Sequence, residues 1–150
     1  MSEERDEPTP EAPTASEDPT VTPIPTATVV PTNVITVQLG SGMDTVNQRL
    51  IGAGTQFQFG IMQLCYLTEW SGVTPGTPLT FRWFINGALE AGLNSTKPMQ
   101  TAEGRTGDCL VSTNQQTGEH FPIPRGTYRV DVFANADASG APASSASAVV

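Results

Sequence analysis

Residues 79 to 87, LTFRWFING, alternate Leu79, Phe81, Trp83 and Ile85 with Thr80, Arg82, Phe84 and Asn86. A period of two held over this length predicts a strand with one buried face. Asn86-Gly87 then supplies two positions that accept positive φ, so the strand ends in a tight hairpin turn. Upstream, VITVQL at 34 to 39 predicts a first strand through Ile35, Val37 and Leu39, broken by Gly40, Gly42 and Asp44. TVNQRLI fits neither period and reads as a loop or short edge strand, with Asp44 as the cap of one helical turn the other reading. TQFQFGIMQLCYL, 55 to 67, predicts a second strand with Phe57, Phe59, Ile61, Cys65 and Leu67 on its buried face. Met62, Leu64 and Tyr66 make its opposite face apolar too, so that end is expected to be covered.

Pro75-Gly76 marks a type II turn into the strand of Trp83. Residues 88 to 106 carry little periodicity and predict a loop with at most one short strand near Ala88 to Ala91. GDCLVST, 107 to 113, predicts a strand with Cys109 and Val111 on one face. In FPIPRGTYRVDVFA the prolines delay pairing, after which Tyr128, Val130, Val132 and Ala134 face one way and Arg129 and Asp131 the other. SSASAVV, small in side-chain volume, suits a sheet edge. Six or seven short strands separated by turn signals, with no convincing helix, predict an all-β, two-sheet antiparallel β-sandwich.

Composition divides the chain. Residues 1–32 hold seven acidic residues (Glu3, Glu4, Asp6, Glu7, Glu11, Glu17 and Asp18) against Arg5, with seven of the 13 prolines and no aromatic residue. Such a segment cannot bury enough apolar surface to offset the entropy of ordering, so it is expected to be a disordered acidic Pro/Thr-rich linker. Residues 33–150 are then one domain. The tail carries −6 of the net charge of −8, leaving −2 for the rest, so the domain has no basic stripe for a phosphate backbone and nucleic acid is excluded as a partner. No apolar run of about 18 residues exists, so no membrane insertion is expected within this chain. The opening MSEERDEPTP is the reverse of a signal peptide. A Thr/Pro linker beside two cysteines favours an extracellular or cell-surface setting, with the signal or anchor lying outside this sequence; a cytosolic protein is the other reading.

Cys65, Trp83 on the following strand, and Gly126-Thr127-Tyr128-Arg129-Val130 near the end together resemble an immunoglobulin-like or fibronectin III-like β-sandwich of the bacterial extracellular type. The resemblance spans roughly residues 33–150. In antibody-type domains a cysteine follows the corner tyrosine by two positions, where this chain has Val130. Pro124 stands where an acidic residue often precedes that tyrosine by four. The resemblance implies adhesion, spacing or recognition.

Cys65 and Cys109 with the single His120 fall short of the four ligands of a structural zinc site, and the pair reads as a core disulfide near Trp83, or else as two buried thiols. His120 reads as a solvated loop residue. The carboxylates Asp44, Glu69, Glu90, Glu103, Asp108, Glu119, Asp131 and Asp137 follow no pattern. Asn135, Asp137, Ser139 and Gly140 imitate the opening of a calcium loop, but Ala146 occupies its twelfth position, and a turn accounts for the same residues. No metal, cofactor or catalytic residue is therefore expected, and the chain does not read as an enzyme. Asn94-Ser95-Thr96 matches a glycosylation sequon. Trp70 has two readings, a lid on the core or a binding platform. With Tyr66 and Phe84 on outward phases and Arg82 beside them, it would form an exposed aromatic surface for an unknown protein or glycan. The functional expectation is a non-enzymatic extracellular or cell-surface module acting as a spacer or macromolecular interaction domain. The alternative is a carbohydrate-binding module whose Trp70, Tyr66 and Phe84 stack on sugar rings beside Arg82 or Asn86.

Overall fold

The computed structural model describes residues 33–150, so the linker expected over 1–32 lies outside the described residues. Two antiparallel sheets face each other. The first runs in the order β2-β1-β3-β7-β8, from β1 (Val34–Asp44), β2 (Arg49–Ala53), β3 (Gln63–Ser71), β7 (Gly104–Thr113) and β8 (His120–Phe121). The second runs β10-β9-β4-β5, from β4 (Thr77–Ile85), β5 (Ala88–Leu89), β9 (Thr127–Phe133) and β10 (Ser144–Val149). β6 (Ser95–Met99) also pairs with β4, and a 3-10 turn, Ala91–Leu93, separates it from β5. The fold is an all-β, two-sheet antiparallel sandwich, as the strand pattern predicts.

β4 behaves as its alternation requires. Leu79, Phe81 and Trp83 are buried, and Asn86 and Gly87 take φ of 51° and 82° to turn the chain into β5. Gly76, at φ 90°, closes the Pro75-Gly76 turn, in which the Thr77 N–H donates to Thr74 O at 3.1 Å. Tyr128 Oη–H donates to the carbonyl of Pro124 at 2.7 Å, a tyrosine corner made to the backbone, for which no acidic side chain is needed. β10 lies at a sheet edge, as its small residues suggest.

β3 reverses the expected phase. Leu64, Tyr66 and Trp70 join the core between the sheets, while Cys65 and Leu67 take the outer side of the first sheet. The strand starts at Gln63, so residues 55–62 do not set its phase. Those residues form a loop, with Gly60 at φ 117° and Phe59 exposed under the guanidinium of Arg125, 4.8 Å from the ring centroid. Pairing decides between the two apolar faces: Ile35, Val37 and Leu39 of β1 stand opposite Trp70, Thr68 and Tyr66, so all of these face inward together.

Cys65 is nonetheless fully buried and Leu67 is only 8% exposed, because the β1–β2 hairpin folds over them. Gly40 and Gly42 continue β1 where a break is expected. Gly40 is paired with Cys65, and a Cβ on it would sit 2.5 Å from Leu50 Cγ. A Cβ on Gly107 would collide with the Met43 thioether. Arg105 Nη1–H donates to Gln48 O at 3.4 Å, which ties the hairpin's turn to β7. The glycines thus permit close approach rather than end a strand. Asp44 caps this turn through the Val46 and Asn47 N–H groups, and the hydrogen bonds from Asn47 hold its carboxyl below the usual carboxylate value.

Cys65 and Cys109 form a disulfide, directly opposite each other on β3 and β7. Both belong to one sheet and to its outer face, so the bond clamps a strand pair and does not pack against Trp83. β6 is a strand that periodicity did not predict: STKPM is polar, and its Pro98 is tolerated at an edge. Val111, which alternation places on one face with Cys109, is exposed.

Three measurements check this architecture. Trp70 is 9% exposed and its Nε1–H donates to Thr101 O at 3.0 Å, so Trp70→Ala is expected to lower stability by about 3–5 kcal/mol in denaturant unfolding. Replacing both Cys65 and Cys109 by alanine opens a loop of sequence separation 44 and is expected to cost about 4 kcal/mol; a loss below about 1 kcal/mol would mean that the strand ladder alone sets the pairing. Burial, then the charge of Asp108, pushes the Tyr66 phenol up to about 12, against a smaller opposing effect of its hydrogen bond with Ser95. The fold accepts only the neutral phenol, so this contribution is whole below pH 10 and is lost as the pH rises towards 12. Stability measured across that window should fall less steeply in Tyr66→Phe.

Candidate functional site

The expected aromatic surface divides in two. Tyr66 and Trp70 are 3% and 9% exposed and belong to the core, which corrects the outward phase expected of Tyr66 and favours the lid reading of Trp70 over the platform. The Tyr66 ring lies 4.8 Å from Phe81 and 5.9 Å from Trp83, the contact through which the two sheets meet. Trp70 spreads its indole over Gly104, its partner on β7, where a Cβ would come within 2.7 Å of Cζ2. A glycine opposite a tryptophan is a burial signal, but it becomes visible only once the register is known.

Arg82 and Phe84 do lie on the outer face of the second sheet. Alternation along β4 puts Thr80, Arg82 and Phe84 there, and alternation along β9 adds Arg129, Asp131 and Phe133. Register sets Thr80 opposite Phe133, Arg82 opposite Asp131, and Phe84 opposite Arg129. Each guanidinium lies over a ring: Arg129 Cζ is 4.1 Å from the Phe84 centroid, and Arg82 Cζ is 5.8 Å from that of Phe133. Cation–π attraction and the flat shape of both groups make such stacks favourable at a half-buried surface.

The two arginines differ in how far they are committed. Asp131, 7% exposed, accepts from Ser145 Oγ–H at 2.7 Å and pairs with Arg129 Nε at 3.1 Å. Arg129 is thereby fixed over Phe84. Arg82, although opposite the same carboxylate, has only a 3.5 Å hydrogen bond from Nη2 to Asp137 O. Among the described residues its other donors make no hydrogen bond. Thr80 ends the row, with Oγ1 3.0 Å from Thr96 Oγ1 and 2.7 Å from Asn135 O. Arg129 and Phe133 are the members that sequence reasoning left out. The outward phase of Arg129 is legible in the alternation of β9, whereas its stacking on Phe84 follows from register.

The remaining candidates stay apart. His120 is exposed, with Nδ1 3.5 Å from Thr113 Oγ1. Among the described residues no group of three histidine, cysteine or acidic side chains could hold a metal ion. The Asn135 to Gly140 turn is closed by its own hydrogen bonds: Ser139 N–H donates to Asn135 Oδ1 at 3.0 Å, and Asn135 Nδ2–H donates to Ser139 O at 3.1 Å. Asn94 is exposed at the end of the 3-10 turn. No helix among the described residues is long and apolar enough to cross a membrane.

No family model matches the sequence. No curated protein matches it either. Among solved structures the chain is similar to the CARDB domain of a Pyrococcus furiosus protein, crystallised in complex with di-metal ions, at 12% identity and a TM-score of 0.40, over 81% of this chain and 94% of that one.

Proposed function

We propose that this chain is a non-enzymatic β-sandwich module of an extracellular or cell-surface protein, and that it binds another protein through the outer face of its second sheet. The row Phe84–Arg129–Asp131–Arg82–Phe133 carries this reading. It offers the Phe84–Arg129 stack as a preorganised, half-buried contact and a second guanidinium, Arg82, with donors to spare for a partner's carboxylates, while Phe133 is buried beneath Arg82. The Cys65–Cys109 disulfide supports an oxidising compartment, and a Pro/Thr-rich segment over 1–32 suits a module held away from a surface. Residues 33–150 are then the working domain, and spacing is the role that remains if the face has no partner.

The carbohydrate reading is less well supported. It needs bare aromatic faces for sugar rings to stack on, yet Arg129 occupies a face of Phe84, while Tyr66 and Trp70 lie in the core. The test is an array of secreted proteins and glycans probed with the intact chain and with Arg82→Ala/Phe84→Ala. The expected result is a protein partner whose binding falls at least about tenfold in the double variant, with the melting temperature nearly unchanged. A partner that binds both forms equally would move the site elsewhere. A glycan lost in the variant would favour the carbohydrate module.

A further inference from the structure

The sheets are joined along one side of the sandwich and open along the other. On the joined side the Val37 N–H donates to Ser144 Oγ at 3.2 Å. The chain leaving β2 also crosses to β10 there: Phe57 N–H donates to Val149 O at 2.8 Å, and Val149 N–H donates to Thr55 O at 2.9 Å. On the open side β7 and the β5–β6 connection stand apart. The cleft between them, about 340 Å³, is floored by Tyr66 and Trp83 and walled by Leu93, Ser95, Asp108 and Leu110.

Among the described residues, β7 borders this cleft with an unpaired edge. β3 occupies one side of it from Gly104 to Val111, and β8 engages only Ser112 and Thr113. The Cα atoms of Cys65 and Cys109 are 3.9 Å apart, which marks the narrow kind of antiparallel pair, whose N–H and C=O groups point away from the partner strand. The Cys109 N–H accordingly donates to Asp108 Oδ1 at 2.8 Å instead of to β3. By alternation the backbone groups of Arg105, Gly107 and Val111 point the same way. This row has the spacing of one further strand. Asp108 adds a carboxylate at the cleft mouth, and among the described residues the ion pairs are Arg105–Glu69 and Arg129–Asp131, so no cation pairs with it.

We propose that the β7 edge takes an extended peptide strand from a partner protein, whose alternate apolar side chains enter the cleft over Tyr66 and Trp83 and whose lysine or arginine meets Asp108. The backbone row favours a peptide over a small molecule, because only an extended chain satisfies donors and acceptors repeated along the strand. A second copy fits less well. In a β7-to-β7 pair, outward-pointing residues must oppose outward-pointing ones, which leaves Asp108 facing Gly104, Thr106, Asp108 or Leu110 of the other copy, none of them basic. This site is separate from the outer face of the second sheet and stands or falls independently of it.

The probe is a blocked nine-residue peptide alternating threonine and valine, with lysine replacing one central valine, titrated into the full chain by fluorescence anisotropy and amide hydrogen exchange. Saturable binding is expected, with new protection at the Gly107 and Val111 amides. Val111→Pro removes one outward N–H at an edge where proline is tolerated, and is expected to weaken binding about tenfold. Asp108→Asn keeps an acceptor for the Cys109 N–H but removes the charge, and is expected to weaken binding about threefold and flatten its salt dependence. Leu93→Asp, on the opposite wall, should reproduce the loss without touching β7, which keeps the test decisive if Val111→Pro fails to fold. No saturable binding, equal binding of a proline-interrupted peptide, or protection confined to other strands would overturn the proposal. So would a dimer of this chain that Val111→Pro dissociates, since the edge would then belong to a second copy.

Discussion

The two sheets meet at Tyr66, and most of the structure can be traced to the cost of putting it there. Its ring reaches Phe81 at 4.8 Å and Trp83 at 5.9 Å, so β3 must turn its even-numbered residues inward. Cys65 and Leu67 are then forced outward on a strand that is apolar on both faces. An outward Leu67 and a disulfide left in water would forfeit about 25 cal/mol for each Å² of apolar area exposed. The β1–β2 hairpin removes that penalty by folding Leu50 and Met43 across Gly40 and Gly107. Gly40, which looks like a strand breaker, and Gly107, which opens a predicted strand, are therefore what allow a third layer to lie on the first sheet.

Where hydropathy had one periodic answer, the sequence was enough. Leu79, Phe81 and Trp83 define β4, Tyr128, Val130 and Val132 define β9, and Asn86-Gly87 and Pro75-Gly76 form the turns that their residue types demand. Where both phases were apolar it was not enough. Residues 61 to 67 contain Ile61, Met62, Leu64, Cys65, Tyr66 and Leu67, and only the register with β1 chooses between their faces. β6 was hidden for the opposite reason, since Ser95 to Met99 has no alternation strong enough to announce an edge strand. The candidate surface followed the same logic. Phe84 and Arg82, on a well-determined strand, were placed on the correct face, whereas Tyr66, on the ambiguous one, was not, and Trp70 was left between a core lid and a platform.

Tyr128 illustrates how one device survives a change in its sequence signature. The corner needs a carbonyl at the right height, and Pro124 provides it by keeping the preceding loop extended. The disulfide has moved further. It joins β3 to β7 within one sheet, so no disulfide crosses between the sheets, and cohesion across the interface rests on Tyr66, Phe81, Trp83 and the aliphatic residues around them.

That division of labour bears on where such a module can bind. A same-sheet disulfide fixes the pairing of β3 with β7 and leaves the joining of the two sheets to packing and hydrogen bonds. On the β1–β10 side backbone and Ser144 hydrogen bonds close the gap, and the cleft opens on the β7–β6 side. Asp108, Tyr66, Ser95 and Asn94 supply the polar side chains at that opening. Burial of the phenol beside a carboxylate disfavours ionisation of Tyr66, so the cleft floor stays neutral and largely apolar through the physiological range. The outer face of the second sheet has the contrary character, since its arginines are held over Phe84 and Phe133. One surface thus presents stacked guanidinium groups and the other an apolar cleft floor, and the covalent clamp on β3–β7 is what holds the β7 wall of that cleft in register.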